Sequence, residues 1–162
     1  FAGGGGVPPV DLVTGTPPYF RVDFALPTGG AGVVPVRATI RQGGMPSHDQ
    51  SAPARCEFRG GVEAYCRAAA ALLAPDGRFV VCENWANDDR VRAGAAAARL
   101  HVEEVLQVEG RTGRGALFAV YTMKRGGNGV AGVTRTLPLL TVRDQQEWTP
   151  EYRVVLEGMG MC

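Results

Sequence analysis

Val62, Tyr65, Cys66, Ala69, Leu72 and Leu73 recur at the i, i+3, i+4, i+7 spacing that predicts an amphipathic helix with one apolar face. Gly60-Gly61 stand before it, and Pro75-Asp76-Gly77 follow as a turn that cannot continue a helix. The next run, Arg78-Phe79-Val80-Val81-Cys82-Glu83, is almost continuously apolar, as a strand buried on both faces is. Asp88 is the predicted N-cap of a second helix, with Val91, Ala95 and Ala98 facing inward. Val102 to Val108 alternates in part, and Ala116 to Tyr121 is again continuously apolar. The glycine-rich Glu109-Gly110-Arg111-Thr112-Gly113-Arg114-Gly115 between them is too short to hold a helix, so these two strands are predicted to be antiparallel and joined by an extended hairpin. Upstream, the apolar run Val10-Asp11-Leu12-Val13 predicts a short strand. In order, the chain reads strand, long loop, helix, strand, helix, strand, hairpin, strand, which is an α/β pattern.

Composition narrows this to a single domain. A chain of 162 residues can bury a sizeable core. Most of the glycine excess lies in Gly3 to Gly6, Gly29 to Gly44 and Gly126 to Gly132, which read as loops. The expected division is a low-complexity linker over 1–9, a domain over 10–143 with a long flexible loop at 21–55, and a tail over 144–162. The loop is either a lid or a disordered segment, since structureless stretches beyond about 12–15 residues are commonly one or the other. His48 within it has no nucleophile or metal partner nearby and reads as a solvated loop residue. No apolar stretch approaches the roughly 20 residues that cross a bilayer, so no membrane partner is expected. Cys56, Cys66, Cys82 and Cys162 show no CxxC spacing and no neighbouring His. Such isolated thiols suit a reducing intracellular compartment, cytoplasmic or organellar, and no metal site is expected.

The net charge of +1 hides an asymmetry. Residues 1–109 carry 10 Arg against 12 Asp and Glu, whereas residues 110–162 carry 7 basic and 4 acidic side chains. Between Glu109 and Asp144 there is no acid, yet Arg111, Arg114, Lys124, Arg125, Arg135 and Arg143 all fall there. A run of this kind can follow a phosphate backbone. Solvated loop ends flanking a strand explain it equally well.

Candidate chemistry sits where the first strand ends, at Thr14-Gly15-Thr16-Pro17-Pro18-Tyr19. Proline fixes φ and donates no hydrogen bond, so Pro17-Pro18 makes a stiff turn with free carbonyl oxygens. Ligands of open α/β sheets bind at the carboxyl ends of strands, where this turn is expected. The segment resembles the (Asn/Asp/Ser)-Pro-Pro-(Tyr/Phe/Trp) motif of class I S-adenosylmethionine-dependent methyltransferases that modify amino or amide nitrogens, with Thr16 as a departure at the first position. Ala70-Ala71-Leu72-Leu73-Ala74-Pro75-Asp76-Gly77-Arg78-Phe79-Val80 is similar to that family's helix-turn-strand phrase. Pro17 to Phe20, Ala54-Arg55-Cys56-Glu57, Leu137 to Val142 and Glu147 to Tyr152 resemble most closely the small-domain methyltransferases that include bacterial tRNA adenine-N6 enzymes.

The resemblance implies the second half of a Rossmann-like methyltransferase sheet, mostly parallel with a final antiparallel strand. Nothing upstream of Val10 matches the family's donor-binding strands, so an N-terminal half is expected from the full-length chain. It further implies S-adenosylmethionine as cofactor, Thr16, Pro17, Pro18 and Tyr19 as catalytic residues, and Thr16 and Pro17 as donor contacts. Phe20, Arg111, Arg114 and Trp85 are implied on the substrate side, Tyr19 stacking on the base with Phe20 behind it. Trp85 reads as a core cap as readily as a substrate wall, and Trp148 and Tyr152 are expected to pin the tail to the sheet. Three functions follow: a methyltransferase fragment acting on the exocyclic amine of adenine in tRNA or rRNA; one acting on a protein glutamine or a small molecule; and a non-catalytic scaffold whose exposed sheet edge docks a partner.

Overall fold

The structure, a computed structural model, describes residues 8–18, 22–24, 38–40, 57, 60–126 and 132–161. Two compact units divide the chain, one comprising Phe1–Thr16 with Val62–Cys162 and the other Pro17–Gly61. In the second unit, inside the stretch expected as a loop, β2 (Val22–Phe24) pairs antiparallel with β3 (Ala38–Ile40). Tyr19, Phe20, His48 and Cys56 lie outside the described residues.

The first unit is built on one mixed sheet. Its long strands run in the order β1 (Val10–Gly15), β4 (Leu73–Asn84), β6 (Phe118–Arg125), β5 (Leu100–Glu109). β1 is parallel to β4, and β6 is antiparallel to both β4 and β5, so β1, β4 and β5 share one direction and the final long strand inserts against them. This is the mostly parallel α/β sheet that the resemblance implied, with the antiparallel hairpin that the pattern of residues predicted. Two short strands, β7 (Arg135–Thr136) and β8 (Leu140–Thr141), pair parallel to the outer edge of β5.

Both crossing helices lie on one face. α1 (Val62–Leu72) buries Val62, Cys66 and Ala69, and α2 (Asp88–Ala97) buries Val91, Gly94 and Ala95. They meet Phe79, Val81, Tyr121, Met123, Val102 and Val105 from the sheet to form the core. The Arg90 guanidinium clasps the Glu63 carboxylate through Nε and Nη2, each at 2.9 Å, and ties the two helices together. Along β4 only Phe79, Val81 and Glu83 are fully inside, while Val80, Cys82 and Asn84 on the other face are half-buried. The continuous apolar run predicted burial on both faces. Among the described residues only one is covered, because both helices pack on the same side.

Two local predictions are corrected. Pro75-Asp76-Gly77 do not separate helix from strand, because β4 starts at Leu73 and these residues bulge within it. While β1 advances from Val10 to Leu12, its partner advances from Leu73 to Arg78. Gly77 is required there, since a Cβ would lie 2.8 Å from the Val10 carbonyl oxygen. The second helix is capped differently: a 3-10 turn, Trp85–Asn87, precedes it, Asn84 Oδ1 accepts from the Ala86 N–H at 3.0 Å, and Asp88 is already helical. In the tail, Trp148 packs against Tyr152 with ring centroids 5.1 Å apart and carries the Arg143 guanidinium at 3.6 Å, and the adjoining Thr149 hydroxyl donates to the Thr141 carbonyl of β8. The tail comprises the hairpin of β9 (Arg143–Asp144) and β10 (Glu147–Trp148), then α3 (Pro150–Gly158).

Candidate functional site

β1 ends at Gly15, opposite Val81 of β4, and the chain leaves the sheet through Thr16. A cavity of about 480 Å³ opens at this carboxyl end, lined by Thr14, Gly15, Thr16, Tyr65, Val80, Cys82 and Val120. Thr14 and Val80 are register partners, and Val80 and Cys82 alternate along β4, so the half-buried face of the sheet forms the floor. Among the described residues no charged side chain lines it. Thr14 and Thr16 contribute hydroxyls that donate or accept, and Tyr65 contributes a flat ring. Parallel strands of open α/β sheets present their ligand sites at this end.

Of the residues singled out in the sequence, Thr16 lies on this cavity. Pro17 and Pro18 continue directly from it but belong to the second unit. Trp85 packs against the core at the end of β4 and is not among the cavity's lining residues; its backbone N–H donates to the Leu117 carbonyl at 3.2 Å. Arg111 and Arg114 lie in the hairpin between β5 and β6, exposed, with no side-chain partner among the described residues.

The hairpin is firmly held. Glu109, 5% exposed, accepts from the Thr141 hydroxyl at 2.7 Å and from the Gly115 N–H at 3.2 Å. The Thr112 N–H donates to the Arg143 carbonyl at 3.0 Å. Three strand spacings of ~4.8 Å separate β1 from β5, which puts the hairpin on the order of 15 Å across the sheet from Thr16, at the same end.

The other bases of the acid-free run are engaged within the fold. Lys124 Nζ bridges to Glu103 at 2.6 Å, and Arg125 Nη2 donates to the Leu73 carbonyl at 2.7 Å. Arg135 pairs with Glu104, and Arg143 lies on Trp148. Lys124 and Arg125 also fall at the opposite end of the sheet from the hairpin, so the six charges form no single stripe. Linear sequence cannot reveal this, because adjacent ends of an antiparallel strand lie at opposite ends of the sheet.

Sequence reasoning missed two polar features. Tyr121, fully buried, donates its hydroxyl to Asp88 Oδ1 at 3.0 Å, and Asp88 also holds Arg92 at 2.9 Å. Burial, then the hydrogen bond to Asp88, pushes the Tyr121 phenol well above its ordinary range. Glu83, also fully inside, accepts from the Asn84 N–H at 2.8 Å and from Asn87 Nδ2 at 3.1 Å. Both carboxylates lock the β4–α2 junction. In the sequence Glu83 shows only as a carboxylate ending an apolar run, and Asp88 only as a helix cap.

No family model matches the chain, and no curated protein is similar to it. Among solved structures it is similar to a predicted O-methyltransferase from Agrobacterium tumefaciens, at 18% identity and a TM-score of 0.49. The alignment covers 62% of this chain and 47% of that one, so the chain spans about half the length of the protein it resembles. No helix among the described residues is long and apolar enough to cross a membrane.

Proposed function

We propose that this chain carries the acceptor side of an S-adenosylmethionine-dependent N-methyltransferase whose substrate is an exocyclic amine of adenine in RNA. The observation that carries the reading is the placement of Thr16 at the carboxyl end of a parallel strand, on the rim of a cavity whose described lining residues carry no charge. An amine that attacks in line must have its lone pair aimed, and acceptors for its N–H groups both orient it and stabilise the positive charge developing on nitrogen. The Thr16 hydroxyl supplies one acceptor. Pro17, Pro18 and Tyr19 enter through the sequence motif alone.

The donor fits the described residues poorly. It carries an ammonium, a carboxylate and a sulfonium, and the cavity offers no charged partner to any of them. No chemical step is therefore assigned to donor-binding groups in this chain. RNA is favoured over a small acceptor by distance, because a single ring in the cavity cannot also reach a hairpin on the order of 20 Å away, counting both strand spacings and the rise along β5, whereas an oligonucleotide can. Arg111 and Arg114 would then meet phosphates of neighbouring nucleotides.

Two measurements test this. Transfer of labelled methyl from S-adenosylmethionine to RNA is expected from a version extended toward the N terminus, and loss of transfer in Thr16→Val is expected with it. Binding of single-stranded RNA by the chain is expected to weaken in the Arg111→Ala/Arg114→Ala double variant. Its log–log salt slope should fall by about 1–2, each phosphate contact contributing roughly 0.7 for single strands. Unchanged affinity and slope would remove RNA as the substrate. Absence of donor binding by both the short and the extended chain would favour the scaffold reading. That reading has its own support in β1, which pairs on one side only among the described residues.

A further inference from the structure

Tyr65 is an outlier on its own helix. The buried stripe of α1 runs through Val62, Cys66 and Ala69, yet Tyr65 is 36% exposed and turned to the cavity. A Cβ built at Gly15 would lie 2.7 Å from Tyr65 Cδ1, 3.2 Å from Cε1 and 3.6 Å from Phe79 Cε2. The ring therefore sits in a notch that exists because position 15 has no side chain, with the Phe79 ring behind the same point. A tyrosine placed for core packing would have its ring covered. This one is braced and left open. Its hydroxyl takes no hydrogen bond among the described residues, so the ring is what the position uses.

We propose that Tyr65 is the aromatic wall of the acceptor pocket and that the pocket takes a planar, amino-bearing heteroaromatic ring. The assignment rests on the methyltransferase reading for the word acceptor, and on geometry alone for the ring. The lining supplies the aromatic ring of Tyr65, the apolar side chains of Val80, Cys82 and Val120, and hydroxyls from Thr14 and Thr16. Thr14, Thr16 and Tyr65 are exposed, so the space is open to solvent on that side. Its volume, about 480 Å³, falls in the range of small-ligand sites, roughly 300–1,000 Å³. An aromatic wall accepts any base face, so selectivity for the amino group falls to the hydroxyls.

Adenosine is the probe, titrated into the whole chain and followed through backbone amide signals. Shifts are expected at Thr14, Gly15, Thr16, Val80 and Val120. Tyr65→Phe should bind as the parent does, whereas Tyr65→Leu, which keeps apolar volume without the ring, should bind about tenfold more weakly, the scale of one lost base stack. Gly15→Ala should weaken binding similarly by displacing the ring. Inosine, which replaces the amino group, should bind more weakly than adenosine. Equal binding by Tyr65→Leu, or adenosine shifts confined to other residues, would overturn the proposal. Competition by S-adenosylmethionine at the same amides would place the donor's ring there and overturn the assignment to the acceptor. Adenosine binding that depends on Tyr65 in a protein without methyl transfer would leave this inference standing and the proposed activity refuted; active transfer with adenosine binding indifferent to Tyr65 would do the reverse.

Discussion

Cys66 shows how a side chain's surroundings, more than its identity, set its contribution. Its thiol is fully enclosed between α1 and the sheet, and burial, reinforced by the nearby Glu63 carboxylate, pushes its pKa from 9.0 up to about 11. Above pH 9 the unfolded chain loses this proton more readily than the folded one, so stability is complete below pH 9 and declines between 9.0 and about 11. At 1.36 kcal/mol per pH unit the decline attributable to this group is about 2–3 kcal/mol. Urea denaturation at pH 8 and near the upper end of that window should show the difference, and Cys66→Ala should remove that part of the decline. The sequence placed Cys66 on the inward face of a helix correctly, since helical spacing is a local property. It placed Tyr65 on the same face, and there packing decided otherwise: the ring reaches past the core stripe to the bare backbone of Gly15.

Elements were legible in kind and less so at their ends. The hairpin between β5 and β6 was predicted from a connection too short for a helix, and its rigidity was not, because the anchors come from far along the chain. Glu109 accepts from Thr141, 32 residues away, and from Gly115 across the loop. Replacing it by alanine removes the acceptor of the half-buried Thr141 hydroxyl and of the exposed Gly115 N–H and is expected to cost about 1–3 kcal/mol. Hydrogen exchange at the Gly115 amide should accelerate in Glu109→Ala; unchanged protection would show that the loop is held by other contacts. The bulge at Pro75-Asp76-Gly77 has the same origin. A Pro-Asp-Gly phrase ordinarily ends an element, but β1 runs alongside and its hydrogen bonds on both sides of the bulge keep the strand going. α3 is the converse case. Thr149 accepts from the Tyr152 N–H at 3.2 Å with Pro150 in the first turn, an N-terminal signature present in the sequence but there read only as part of a family-like ending.

At the scale of the molecule, the half-buried face of the sheet is divided in two. The carboxyl end holds the cavity beside Thr16, and the amino end holds a second hollow of about 590 Å³ in which charges are paired internally. There Glu103 receives Lys124 at 2.6 Å from the neighbouring β6 and Arg78 at 3.1 Å from β4, one strand further. The hydrogen bond from Lys124, aided by the charge of Arg78, holds the Glu103 carboxyl below its ordinary range. Its folded pKa is depressed, so the stability it contributes is present above about pH 4.5 and lost as the pH falls through the lower, folded value. Glu103→Gln should therefore flatten the acid limb of a stability–pH profile while leaving neutral-pH binding of adenosine unaltered. A steep acid limb retained in that variant would assign it to other carboxylates.

Local physics was enough for the sequence to determine the alternation of strands and helices, the antiparallel hairpin, the inward positions of both helices, and the strand ending at the Thr-Pro-Pro turn. Each of these depends on spacing, φ restriction or chain length within a few residues. Which face of the sheet is covered, which of six bases remain unpaired, and which ring looks into the cavity were decided only by the tertiary structure. Those outcomes depend on strand order and on contacts between residues tens of positions apart, and the insertion of β6 between β4 and β5 brings together pairs that no linear spacing connects.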